Sequence, residues 1–180
     1  MMTKLIKTPN APIFPGRFLL QKFSNYAIIL DMTRSKQIQE KSVFIDVQGT
    51  LIKSANTLNR SLYNNMQHAQ QRGANVVIFT MAAPSSMAKS LDLLGVDTKR
   101  FPVVNKFKYR GHLFTGLIVD DIAPHLQGFQ TRPHVYDPNG SVLASIVKQL
   151  QNSPDLTFDA ALKSYRGNLN KLHIKNNLRS

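Results

Sequence analysis

Asp46 closes a short apolar run, Val43-Phe44-Ile45, and is followed by Val47-Gln48-Gly49-Thr50-Leu51. A carboxylate at the end of a buried strand can act as a nucleophile, or can bind a hard cation through oxygen. The glycine after it lets the backbone turn close to a bound group. Three later segments offer partners for such chemistry. Asn75–Thr80 (NVVIFT) ends in a hydroxyl, VVNKFKYRG carries Lys106 and Lys108, and Leu117–Asp121 (LIVDD) ends in an acidic pair. Attack by one anion on another, such as a phosphoryl group, requires a cation between them. Asp46, the Gln48 carbonyl, and Asp121 or Asp120 offer the hard oxygen ligands that Mg²⁺ prefers.

These residues must be brought together by the elements that carry them. Val43–Ile45 reads as a buried parallel strand. The run Thr57–Arg72, with Leu58, Leu62, Met66 and Ala69 at helical spacing and Gly73 as its stop, predicts a helix. Asn75–Thr80 predicts a second strand and Ser85–Leu94 a second helix. Phe101–Val104, Leu117–Asp120 and His134–Tyr136 predict three more strands, and Ser141–Gln151 a closing helix. Strands alternating with helices imply an α/β fold, with a parallel sheet of about five strands and helices on both faces. In such a sheet ligands bind outside the carboxyl ends of the strands, which is where Asp46, Thr80, Asp120 and Asp121 fall.

The four segments, in this order, resemble the motifs of the haloacid dehalogenase-like superfamily: VFIDVQGTL (43–51), VVIFT (76–80), Lys106 and LIVDD (117–121). The resemblance covers residues 42–150 and implies a three-layer Rossmann-like fold and a Mg²⁺-dependent phosphohydrolase that forms an aspartyl-phosphate on Asp46. It also implies that Lys106 neutralises charge on Asp46 and the phosphoryl oxygens and that Thr80 donates to one of them. Gly49, Thr50, Lys108 and Arg110 are the further substrate-binding candidates, and Lys108 remains an alternative to Lys106 because the loop register is open. The departure is Gln48. Family phosphatases carry there a second Asp that protonates the leaving oxygen, which an amide cannot do. Losing such a group costs about 10² to 10⁴-fold in rate. Related branches carry Thr, Tyr or Ala at this place, so Gln48 does not exclude catalysis.

Only one helix fits between Thr50 and the second strand, so the resemblance implies a capless member with an open site that admits large substrates. Lys99, Arg100, Lys106, Lys108 and Arg110 lie in a stretch without an acid, and with Phe107 and Tyr109 interleaved it suits a nucleic-acid phosphate by backbone contact and stacking. The five histidines have no metal-ligand spacing.

The 180 residues carry 23 Lys and Arg against 10 Asp and Glu, a net charge of +13, with Glu40 the only glutamate. Such a surface attracts polyanions or keeps the protein soluble. A second function follows from this charge and from Gln48: a catalytically impaired domain that binds nucleic acid or serves as a subunit of a larger assembly. The absence of cysteine excludes disulfides, zinc–thiolate sites and thiol nucleophiles, and suits a cytoplasmic protein. No apolar run reaches the roughly 20 residues of a membrane span. Three regions are expected: a basic arm over 1–41 with an apolar stretch at 18–30, the core over 42–152, and a helix with a basic tail over 153–180. Lys4, Lys7, Arg17 and Lys22 give the arm a mild likeness to an organelle-targeting segment.

Overall fold

The computed structural model describes residues 37–38, 42–131 and 136–177, with the side chains of 37–38, 55 and 170–177 left aside. The readings made for the basic arm, including its apolar stretch, lie outside the described residues. In chain order the elements are β1 (Gln37–Ile38), β2 (Ser42–Asp46), β3 (Ile52–Lys53), β4 (Thr57–Leu58), α1 (Arg60–Gln71), β5 (Asn75–Thr80) and α2 (Pro84–Leu93). They continue with β6 (Val103–Asn105), β7 (Leu113–Phe114), β8 (Leu117–Val119), β9 (Gln130–Thr131), β10 (Tyr136–Asp137), α3 (Ser141–Asn152) and α4 (Phe158–Asn177).

Five strands form one parallel sheet in the order β10-β8-β2-β5-β6. This is the α/β class expected from the alternation of strands and helices. β2 is central, paired with β5 on one edge and β8 on the other, and all five of its residues are buried. An unbroken apolar run is what a strand covered on both faces requires. The chain builds outward from β2 through β5 and β6, then returns to the other side for β8 and β10. The reversal opens a crevice beyond the carboxyl ends of β2 and β8.

Alternation along the strands separates two packing layers. Val43, Ile45, Val76, Ile78, Leu117 and Val119 belong to the core shared with α1, α3 and α4, through Leu62, Met66, Ile146, Leu150, Phe158 and Leu162. On the opposite face Phe44 and Phe79 sit 4.6 Å apart between ring centroids and meet Tyr109, Phe114 and Phe129. Those three rings come from the segment after β6, whose strands β7 and β9 pair in parallel with each other, β7 also pairing with β1. Among the described residues this aromatic layer, to which the 3-10 helix Lys106–Tyr109 contributes Tyr109, packs on the second face. Tilted and edge-on rings at these distances contribute about 0.5–1.5 kcal/mol per pair beyond simple burial. They pin the 106–131 segment to the sheet, and the site depends on that segment.

The element boundaries shift where side chains intervene. The first helix begins at Arg60 rather than near Thr57, because Thr57 and Leu58 pair with Lys53 and Ile52 in a small antiparallel hairpin. Asn59 then caps the helix by accepting the Leu62 N–H. The fifth strand is found at Tyr136–Asp137, and residues 132–135 of the expected run lie outside the described residues. The last helix runs from Phe158 through Asn177, so much of the expected basic tail is helical.

Candidate functional site

Asp46 ends the central strand, and the loop after it is tied tightly. Leu51 N–H donates to the Asp46 carbonyl (3.1 Å), Ile52 N–H to the Val47 carbonyl (2.7 Å) and Gly49 N–H to the Ile52 carbonyl (2.9 Å). The Gln48 carbonyl accepts none of the hydrogen bonds formed among the described residues, so it is available to a ligand. Gly49 adopts φ +82°, and a Cβ placed on it would lie 2.2 Å from Oδ2 of Asp121. Only glycine accommodates both this backbone and the close approach of that carboxylate.

Lys106 begins a 3-10 turn, Lys106–Tyr109, whose entry is fixed by the Asn105 side chain accepting the Phe107 N–H at 2.8 Å. Residues three apart share a face of such a turn. Lys106 and Tyr109 therefore both point inward, while Phe107 and Lys108 are exposed. This geometry separates the two candidate lysines. Lys106 Nζ lies 2.5 Å from Asp46 Oδ1 and 2.7 Å from Asp120 Oδ2, whereas Lys108 is absent from the residues lining the cleft. It also removes Tyr109 from any stacking role, because its ring is buried in the aromatic layer.

The acidic pair after β8 divides in the same way. Asp120 is buried; its Oδ1 accepts the Ile122 N–H (3.0 Å) and its Oδ2 faces Lys106. Asp121 is exposed, and its N–H donates to the Thr50 hydroxyl at 3.1 Å. Thr50 thus clamps the two loops together. The Thr80 hydroxyl accepts the Ala82 N–H at 3.0 Å; this residue is buried and does not line the cleft. Asp46, Gln48, Gly49, Lys106, Arg110 and Asp121 do line it, around a volume of about 490 Å³.

One residue with a place in this network carries no motif. Gln127, at the end of the 3-10 turn Pro124–Gln127, accepts from Lys106 Nζ (3.0 Å) and donates to Asp120 Oδ2 (3.0 Å) and to the Ile122 carbonyl (2.9 Å). Its amide fixes the lysine and the buried acid relative to each other. A lone glutamine in a loop gives no sequence signal for such a role.

The carboxylates of Asp46, Asp120 and Asp121 each offer an oxygen within 4.8 Å of the others, a group that can hold a metal ion. Three acids against one buried ammonium leave two negative charges unbalanced, and the donors are all hard oxygens. A small divalent cation fits that set. Burial pushes the Asp46 carboxyl up from the usual 3.8 to about 6, overcoming the hydrogen bond and charge of Lys106, and the charges of Asp120 and Asp121 push the same way.

Because the folded value lies above the unfolded one, Asp46 favours folding fully below about pH 4, and that contribution is lost as pH rises through about 6. Without divalent cation, the wild type should lose roughly 2 kcal/mol relative to Asp46→Asn between pH 4.5 and 7.5. Urea midpoints of the two proteins at pH 4.5 and 7.5, in chelator, measure the difference. A divalent cation held by the three carboxylates should return most of it at the higher pH. A second expectation concerns Gly49. Gly49→Ala should displace the Asp121 carboxylate and weaken any binding of a divalent cation by about 10- to 100-fold. Calorimetric titration at pH 7.5 checks it, and an unchanged affinity would remove Asp121 from the ligand set.

No helix among the described residues is long and apolar enough to cross a membrane. No family model matches the chain, and neither the curated proteins nor the solved structures include a match to it.

Proposed function

We propose that the protein is a Mg²⁺-dependent phosphohydrolase that uses Asp46 as its nucleophile. The observation that carries this reading is the convergence of Asp46, Asp120 and Asp121, the first two paired with Lys106, beside an open cleft that Asp46, Lys106 and Asp121 line. Asp46, the Gln48 carbonyl, Asp120 and Asp121 are the residues that would hold the cation. When bound, it would offset the site's excess negative charge and polarise the phosphoryl oxygens.

The chain's own groups divide the remaining work. Lys106 holds Asp46 Oδ1, leaving Oδ2 without a partner among the described residues and available to attack phosphorus. The attack forms an acyl phosphate on Asp46, which splits one difficult displacement into two easier ones. Lys106 stays beside the reacting oxygen and offsets negative charge there, at a buried position where the interaction is little screened. Gln127 and Asp120 keep its ammonium aimed, so no reorganisation is needed during reaction. Water then releases phosphate and restores Asp46. The open cleft and the basic surface suit a phosphorylated substrate that extends beyond the site.

Gln48 favours a second reading. It lines the cleft, and its amide cannot act as a general acid to a leaving oxygen. In that reading the domain is catalytically impaired and binds a polyanionic partner through its +13 surface, as a subunit of a larger assembly. Turnover of acetyl phosphate by the full chain, with and without Mg²⁺, separates the two. Its leaving group needs no proton, so an intact nucleophile suffices. Metal-dependent turnover supports the enzyme; no turnover, together with salt-sensitive nucleic-acid binding, supports the binding subunit.

A further inference from the structure

The floor of the cleft is charged, but its mouth is not. Met81, Phe107, Ile122 and Leu126 are 47%, 45%, 50% and 73% exposed, and all four line this one cleft. Among the described residues the only other large apolar side chain so exposed is Leu93, on α2, away from the cleft lining. Apolar side chains gathered at the rim of a polar pocket, rather than scattered singly, mark a place where something is bound. The Arg110 guanidinium stacks on the Phe107 ring, 4.5 Å from its centroid, and Arg110 has no ion pair among the described residues. That contact steadies the ring and adds positive charge at the entrance.

Gln48 supplies an independent constraint from the reaction side. With no proton donor beside it, the leaving oxygen must depart as an anion. Phenolic oxygens, with pKa about 10, do so far more readily than alkoxides. Acyl phosphates and anhydrides also leave as anions, but the atoms they place next to phosphorus are polar. An aryl ester combines a stable leaving anion with a hydrocarbon face.

We infer that the substrate is an aryl phosphate ester whose ring lies against Phe107, Ile122 and Leu126 while its phosphate reaches Asp46; this rests on the phosphohydrolase reading. Asp46 attacks phosphorus and the P–O(aryl) bond breaks. The bonding pair leaves with the aryl oxide, which takes a proton from solvent. Water then cleaves the acyl phosphate, so that ester and water give phenol and inorganic phosphate. Nucleic-acid ends are alkyl esters and lack such a leaving group.

The test uses the full chain with Mg²⁺ and two non-hydrolysable probes, benzylphosphonate and methylphosphonate. Calorimetry should give about tenfold tighter binding of the benzyl compound, the effect of partly burying a ring against hydrocarbon. In the double variant Phe107→Ser/Leu126→Ser the preference should fall to within about twofold, with methylphosphonate affinity unchanged. Both side chains are exposed, so the urea midpoint should not move. Equal affinities in the wild type, or a preference that survives the double substitution, would overturn the inference. So would a double variant that changes only its size on gel filtration, because the rim would then be a contact between copies. Acetyl phosphate turnover on the same samples tests the parent reading separately. If it fails while the ring preference holds, the hydrolytic step is retired and the aryl-binding subsite stands.

Discussion

Asp46→Asn should lower Mg²⁺-dependent turnover of acetyl phosphate by about 10⁴-fold or more, the scale seen when a nucleophile is removed from an otherwise intact site. The substitution keeps the side chain's volume and takes away only its nucleophilic oxygen and its charge. Lys106 is not orphaned by it, because Asp120 Oδ2 at 2.7 Å and Gln127 Oε1 at 3.0 Å still accept from its ammonium. Nor should the fold suffer. Burial already disfavours the charged form of Asp46, so a neutral amide at that position removes a cost above pH 6. The variant should therefore be inactive and at least as stable as the wild type at pH 7.5. Rate assays and urea unfolding on the same sample measure both halves. Inactivity accompanied by unfolding would say nothing about chemistry. Residual turnover with the wild-type metal dependence, in a folded variant, would show that Asp46 is not the attacking group.

The parts of this site that could be read from the sequence are those whose position follows from strand ends. A run such as Val43–Ile45 has to be central and buried, and the residue that ends it has to emerge at the crevice; the same reasoning located Asp120 and Asp121 beyond β8. Choosing between Lys106 and Lys108 required the phase of a turn. The capping of Phe107 N–H by Asn105 and the anchoring of Tyr109 among Phe44, Phe79 and Phe114 set that phase, and neither contact has a sequence period. Thr80 was legible as a strand end, but its hydroxyl is engaged by a local backbone N–H, a detail that residue type does not specify. Gln127 and the apolar rim were out of reach for a different reason. Met81, Phe107, Ile122 and Leu126 come from three separate loops, and loops become neighbours only through the sheet that holds their ends. The helix starting at Arg60 rather than Thr57 is the reverse case, a hairpin pairing overriding a continuous helical pattern.

Gln48→Asp should raise turnover of alkyl phosphate esters by about 10² to 10⁴-fold, the range of general acid–base assistance. Gln48 is exposed at the cleft and its side chain makes no hydrogen bond among the described residues, so the change should not disturb packing. The gain should depend on the leaving group. An alkoxide needs the proton badly, a phenoxide less, and an acetate hardly at all, so alkyl esters should gain most and acetyl phosphate almost nothing. Plotting log kcat/KM against leaving-group pKa for a series of esters measures this directly. The wild type should fall steeply, and the variant should be nearly flat. A parallel rise for every substrate would instead mean that the fourth carboxylate acts by tightening the cation, which a Mg²⁺ titration of both proteins would reveal. A folded variant with no gain would place Gln48 away from the leaving oxygen. Should the wild type be inert on every ester while Gln48→Asp is active, residue 48 alone would separate a binding domain from an enzyme, since Asp46, Lys106, Asp120 and Asp121 are already in position.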